Sequence, residues 1–338
     1  MRILCRKSAN FVQILYQTEM KKSFFPIFFA VLLALCACSP RDRYVAVTGF
    51  AQGGTYTVKM NLAGVTVPEA QIAAGIDSLL TLVDTTLSGY NKGSILSRRN
   101  AGEDVPLNAM FEDILALSEA FRAETGGAFD VGAAPLFDIW GFGFTEGEMP
   151  SDELVRQALS LRGTKLNFNA IAQGYSCDVI AAYLHGLGVK DMLVDIGEIY
   201  CEGLNPRREA WTIGIDSPVD GNQTPGAELQ AIHRCGTQPQ GIVTSGNYRK
   251  FYIRDGRKYA HTIDPRTGYP VSHSLLSATV VAPTAAAADA YATYCMVIGI
   301  DEARAFIEGR PDLEGYLIYD EDGRMKAWAS PGFEVTGN

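Results

Sequence analysis

The chain has 338 residues, 47% of them hydrophobic, and carries 29 Lys and Arg against 38 Asp and Glu, a formal net charge of −9. Without residues 1–37 the balance becomes 24 against 37, or −13, and no basic stripe remains, which excludes nucleic-acid binding by counterion release. Roughly 300 residues would suggest two domains by length alone, but no linker, charge run or repeat marks a boundary, so one bilobed unit over residues 46–332 is expected.

In chain order, Met20-Lys21-Lys22 opens a charged segment, and the apolar run 24–37 is too short for a mature membrane span. Leu35-Cys36-Ala37-Cys38 reads as a lipobox with Cys38 as the lipid acceptor; an ordinary secretory signal or an uncleaved anchor is the other reading. The expected organisation is a signal segment at 1–37 and a lipidated tether at 38–45, with the protein exported and anchored to a membrane facing the periplasm. Which membrane is left open, and residues 1–19 stand upstream of a better start at Met20, as in an over-long gene start. Cys177, Cys201, Cys235 and Cys295 have no metal-like spacing; an exported setting permits disulfides, but the sequence assigns none.

Residues 69–87 place Ile72, Ile76, Leu79, Leu80, Val83 and Leu87 on one face, the pattern of an amphipathic helix. A second helix is expected over 111–124, ended by Gly126-Gly127, a third behind a Ser151 cap, and a fourth over 170–187. Strands are expected at 191–196, 211–215 and 229–234, then a hairpin in which 251–254 turns at Asp255-Gly256 and returns over 257–261. A strand over 275–282, an alanine-rich helix over 284–298, a helix over 302–308 and a terminal hairpin (315–319 with 324–329) follow. Hairpins mixed with helices argue an α+β fold with mainly antiparallel sheets.

Two features carry chemistry. His261-Thr262-Ile263-Asp264-Pro265-Arg266-Thr267-Gly268 sets a histidine at a strand end beside a turn that Pro265, Gly268 and Asp264 make rigid. Asp289 and Thr293, four apart on the alanine-rich helix, face one side and can supply hard oxygen ligands to Mg²⁺. Each also has a plainer reading, as a packed histidine and as a cap or solvated helix face.

Several further segments agree with one pattern: Gly54-Thr55-Tyr56, Ser88-Gly89-Tyr90-Asn91-Lys92-Gly93-Ser94, Thr125-Gly126-Gly127-Ala128-Phe129-Asp130-Val131, Trp140-Gly141-Phe142-Gly143, Asn169-Ala170-Ile171-Ala172-Gln173-Gly174-Tyr175 with Asp178, Val194-Asp195-Ile196-Gly197 and Val243-Thr244-Ser245-Gly246-Asn247-Tyr248. With the His261 turn and the Asp289 helix, they resemble the FAD:protein FMN transferase (ApbE-type) family, in family order over residues 45–330. The resemblance implies a bilobed, tunnelling-fold-like α+β unit with mainly antiparallel sheets and flanking helices, and the flavin between its lobes. It implies that FAD is cut at its pyrophosphate and FMN goes to a Thr or Ser hydroxyl of an acceptor flavoprotein, releasing AMP. The family suggests subunits of sodium-pumping NADH:quinone oxidoreductase or Rnf-type complexes as acceptors.

By the same resemblance, Asp289, Thr293 and the Ala170 carbonyl would hold Mg²⁺, and His261 would be the base. Gly53, Tyr90, Ala128, Phe129, Asp130, Asn167, Gln173 and Ile263 align with flavin- or adenine-contacting positions, with Phe129 and Tyr90 as candidate stacking rings. Phe129, Trp140 and Phe142 can equally be core, and Gly126-Gly127 a helix cap. Asn167 stands where relatives commonly have Asp, Gln173 where Lys or Glu is frequent, and Gly53 where a bulkier residue often sits. A Mg²⁺-dependent FAD pyrophosphatase and a non-catalytic FAD-binding lipoprotein are the alternative functions.

The lipobox generates a direct test. Cys38→Ser should release the protein from membranes or leave an uncleaved precursor, as read by fractionation and gel migration; wild-type behaviour in both would remove the anchor.

Overall fold

Strand β1 (Tyr44–Ala51) turns at Gln52-Gly53 into β2 (Gly54–Asn61), with Ala51 opposite Gly54 in the register. Both turn residues have positive φ, 50° and 83°, the pairing that matches the twist of two-residue hairpins. The computed structural model describes residues 41–142, 149–219, 222, 224, 226–247, 251–254 and 257–336, of which 43 onward belong to one unit. The expected signal segment, Cys38, Gly143, Tyr248 and the expected Asp255-Gly256 turn lie outside the described residues.

Eight helices occur among the described residues: α1 (Glu69–Leu87), α2 (Ile95–Asn100), α3 (Ala109–Glu124), α4 (Ala134–Ile139), α5 (Asp152–Ser160), α6 (Ala172–Gly186), α7 (Ala285–Ile298) and α8 (Ile300–Glu308). The further strands are β3 (Met192–Asp195), β4 (Ile199–Glu202), β5 (Thr212–Asp216), β6 (Leu229–Arg234), β7 (Gln240–Gly246), β8 (Phe251–Arg254), β9 (Arg257–Ala260), β10 (Leu275–Ala282), β11 (Glu314–Glu321) and β12 (Arg324–Ala329). Eight strands form one sheet in the order β1-β2-β3-β4-β7-β10-β11-β12, and β5-β6 and β8-β9 are two-stranded ribbons. Every pairing of these strands is antiparallel, as the hairpin-rich sequence requires.

Caps fix the helix starts. Asn108 accepts from Phe111 N (2.9 Å), Ser151 from Leu154 N (3.3 Å) and Thr284 from Ala287 N (3.2 Å). The expected helix over 170–187 begins two residues later, at Ala172, because Asn167 Oδ1 accepts from Asn169 N (2.9 Å) and holds a turn there. Strands β4 and β7 were not among the expected elements; both are short or end in glycine and serine, with no clear alternation.

The central sheet has two differently covered faces. Met192, Val194 and Tyr200 pack under α1 and α6, and Val243, Val280, Ala282 and Leu317 under α3 and α7. Their neighbours along the same strands, Leu193, Cys201, Ile242, Val281, Tyr316 and Ile318, point the other way and pack with Trp211, Ile213, Ile215 and Ala231 around the β5–β6 ribbon. Helix α7 lies directly on β7: a Cβ on Gly241 would come within 2.2 Å of Ala285 Cα and 2.5 Å of the Thr284 carbonyl.

That approach predicts a position-dependent cost. Gly241→Ala must push α7 off the sheet and should destabilise by about 2–4 kcal/mol. Gly186→Ala, in open space at the end of α6, should be neutral or stabilise by up to about 1 kcal/mol. Denaturant midpoints of the two variants check both.

Candidate functional site

The loop that follows β9 is rigid in its own bonds. Ile263 bridges Pro270, Asp264 N donates to Tyr269 O (2.9 Å), Gly268 N donates to Asp264 O (2.8 Å), and Arg266 N donates to Asp264 Oδ1 (2.9 Å). Gly268 sits at φ +83°, where a side chain would be strained. Neighbouring elements hold the loop: Trp140 Nε1 donates to Gly268 O (2.8 Å), an Arg162 Nη donates to Pro265 O (2.7 Å), and Tyr269 Oη donates to Asp152 (2.7 Å). His261, half-buried at the start of this loop, meets the Phe142 ring edge-on at 6.4 Å between centroids, and Thr262 donates to Asn247 Oδ1 (2.6 Å).

The second half of the site lies where α6 meets α7. Asp289 is 4% exposed, and its Oδ2 accepts from Gly174 N (3.1 Å). That N–H lies in the first turn of α6, and Ala170 stands in the turn just before the helix. Gly174 is required there, because a Cβ would come within 2.2 Å of Ala285 O and 2.9 Å of Asp289 Cβ. Thr293 lies one turn further along α7, half-buried. Asp178 has both oxygens taken by the first N–H groups of α7, Ala285 and Ala286 (2.8 Å each). Burial pushes the Asp289 carboxyl up to about 7, and the nearby Asp178 charge adds to it against the Gly174 bond. Asp178 is likewise pushed up by burial, to about 6, against its two backbone bonds.

A dry carboxylate with one backbone donor, one turn from a threonine hydroxyl on the same helix, is a pair of hard oxygen donors short of positive charge. It fits Mg²⁺. Among the described residues no three His, Cys, Asp or Glu side chains gather as a metal site, so such an ion would rely on backbone and hydroxyl oxygens beside the one acid.

The expected nucleotide-contacting residues fall into three groups. Gly53 is at the tip of the first hairpin, tied to α6 by a bond from Gln52 Nε2 to Ser176 Oγ (2.7 Å), and Tyr90 is a 64% exposed ring on the loop after α1. Ala128 and Phe129 are each 1% exposed, and the Phe129 ring packs edge-on against Phe121 at 6.0 Å. The Phe129 ring is therefore core, as the plainer reading of the sequence had it, and of the two candidate rings Tyr90 is the exposed one. Asp130 accepts from Gly132 N (2.8 Å) with Arg162 at 3.9 Å, while Asn167 N donates to Val131 O (2.8 Å). Gln173 Nε2 donates to Ile196 O (3.0 Å) beside Gly197, and Ile263 is buried under α4 and α5. Arg162 thus joins the 128–130 block to the His261 loop, and with Arg122, Arg266 and Gly126-Gly127 it lines a cavity of about 360 Å³. Sequence reasoning assigned no role to Arg162 or to the Asp178 anchor; an isolated Arg after a helix gives no signal.

Comparison with known proteins follows the same residues. The ApbE family profile matches residues 53–317. The chain is 31% identical to the FAD:protein FMN transferase of Haemophilus influenzae over 334 residues, which cover 90% of this chain and 95% of that protein. It is equally 31% identical to the protein of that name in Escherichia coli K12 over 292 residues, 78% of this chain and 81% of that one. Among solved structures, the apo flavinyl transferase ApbE of Pseudomonas stutzeri superposes with a TM-score of 0.75 at 32% identity, covering 86% of this chain and 95% of that chain. The flavin transferase ApbE of Vibrio cholerae gives 0.73 at 29% identity, covering 86% and 98%. With the buried Asp289 at the α6–α7 contact and the rigid His261 loop inside the matched region, the chain belongs to the ApbE family.

Proposed function

We propose that this chain is an FAD:protein FMN transferase that cuts FAD at its pyrophosphate and attaches FMN to a Thr or Ser hydroxyl of an acceptor flavoprotein, with AMP leaving. The observation that carries this reading is the desolvated Asp289 carboxylate, bonded to the Gly174 N–H in the first turn of α6. Mg²⁺ held by Asp289, Thr293 and the Ala170 carbonyl would supply charge against the pyrophosphate. The chain's own residues do the rest. The acceptor oxygen forms a bond to the FMN phosphorus as the bridging P–O bond to AMP breaks, and His261 takes the hydroxyl proton. The backbone of Ala128-Phe129-Asp130, with Asn167 and Gln173, lines the nucleotide, and exposed Tyr90 offers a ring to the flavin. The expected anchor at Cys38 supports placing the reaction at a membrane facing the periplasm, and the family's acceptors support a subunit of a sodium-pumping NADH:quinone oxidoreductase or Rnf-type complex.

The purified chain, FAD, Mg²⁺ and such a subunit, read by in-gel flavin fluorescence, test the proposal. FMN bound to the acceptor supports transfer; free FMN and AMP with no labelled acceptor would make the chain a pyrophosphatase. Asp289→Ala should lose Mg²⁺-dependent transfer and hydrolysis alike. His261→Ala should slow transfer by about 10²–10⁴-fold and leave FAD affinity within severalfold; a matching collapse of affinity in calorimetric titration would take His261 out of the base role.

Asn167 makes a separate prediction. Its Oδ1 already acts as the acceptor for Asn169 N, a bond a carboxylate makes equally well. Asn167→Asp should therefore fold normally and bind FAD within about tenfold, or 1.4 kcal/mol, of wild type. A larger loss in titration would show that the side-chain amide donates to the nucleotide.

A further inference from the structure

The four cysteines after residue 38 are all buried, but they do not share one environment. Cys177 packs between α1, α6 and the first strands, its thiol donating to Glu198 O (3.1 Å), and Cys295 lies in the separate cluster around α7. Cys201 and Cys235 alone belong to the same apolar cluster, on the ribbon face of the sheet with Trp211 and Ile213.

Backbone bonds draw the two segments together. Gly203 N donates to Thr237 O (2.9 Å), two residues beyond each cysteine. Trp211 joins them again: its carbonyl accepts from Cys235 N (2.9 Å), and its Nε1 donates to Glu202 O (3.0 Å). The Cys235 thiol is the neighbour that acts most strongly on the Cys201 thiol.

We propose that Cys201 and Cys235 are joined by a disulfide in the mature protein, a covalent staple between β4 and the end of β6. The bond closes the loop 202–234, which contains the whole β5–β6 ribbon. That ribbon has no strand pairing to the central sheet, so the staple would add a covalent cross-link beyond the chain connections at its two ends. Closing such a loop restricts the unfolded chain far more than the folded one.

The chemistry is thiol–disulfide exchange with a disulfide-bearing oxidant, protein or glutathione disulfide. One thiolate attacks a sulfur of the oxidant, whose other sulfur leaves as a thiol. The second cysteine then attacks the mixed disulfide, forming the Cys201–Cys235 bond and releasing the remaining oxidant sulfur as a thiol. Two protons and two electrons pass from the cysteines to the oxidant. The step belongs to folding, because the finished fold leaves Cys201 at 0% and Cys235 at 5% exposure. The partner thiol and burial also push the Cys201 thiol well above its ordinary range, which withholds the thiolate that an oxidant needs.

The test is independent of flavin transfer. The full chain is reduced and unfolded, refolded with a mixture of reduced and oxidised glutathione, then alkylated in denaturant without reductant and mapped by peptide mass. The expected result is one linked peptide pair holding Cys201 and Cys235, lighter by two hydrogens, with the alkyl label on Cys177 and Cys295. Reductant should then lower the melting temperature by roughly 5–10 °C, and Cys201→Ala/Cys235→Ala should remove that dependence. Label on all four cysteines, glutathione left on Cys201 or Cys235, or a bond to Cys177 or Cys295 would overturn the proposal. The labelling map needs no variant, so it decides the pairing even if the double variant fails to fold.

Discussion

The site depends on α7 lying almost backbone to backbone against β7 on one side and α6 on the other. Gly241 and Gly174 remove the side chains that would hold the helix away, and the run of alanines at its start keeps it thin. Asp178 fastens that start by taking two of its free N–H groups, an interaction that helix ends need wherever water is excluded. The same closeness leaves Asp289 dry, with Gly174 N as its backbone donor. Burial of a carboxylate without a positive partner is unfavourable. The fold sustains it here because the surrounding packing of α6, α7 and β7 fixes the position.

The central sheet divides the labour between its faces. Period-two alternation sends Val194, Val243 and Val280 under the helices that carry the site, and Leu193, Ile242 and Val281 under the ribbon. The helix face therefore bears the site's acids, while the ribbon face is an apolar seat for a hairpin that forms no ladder with the sheet. Side-chain packing and single bonds outside any ladder, such as Trp211 Nε1 to Glu202 O, hold that hairpin, which is why the neighbouring thiols at its end are structurally significant.

The His261 loop is held by a different means. Its own turn bonds set its shape, and Trp140, Arg162 and Tyr269 tie it to α4, α5 and the segment after α5. For the base role proposed for His261, a loop held in this way leaves little freedom to lose when a hydroxyl is brought up, the condition under which positioning assists a reaction. Arg162 reaches both this loop and Asp130, and so bridges the turn and the 128–130 segment.

Local signals were legible in the chain. Amphipathic periodicity marked α1, a cap at Ser151 marked α5, an alanine-rich stretch marked α7, and Pro265, Gly268 and Asp264 marked the rigid turn, because each depends on residues a few positions apart. The four-residue spacing put Asp289 and Thr293 on one side of α7 for the same reason. Motif order along the chain was sufficient to point to the family. Tertiary structure alone decided the rest. It turned Phe129 into core rather than a stacking ring, gave Asp178 the task of anchoring α7, and set Ala170 in a turn before α6 instead of within it. It also brought Cys201 to Cys235. These outcomes rest on contacts between residues far apart in sequence, whose partners are fixed only when the strands of the sheet settle in register and the helices close over them.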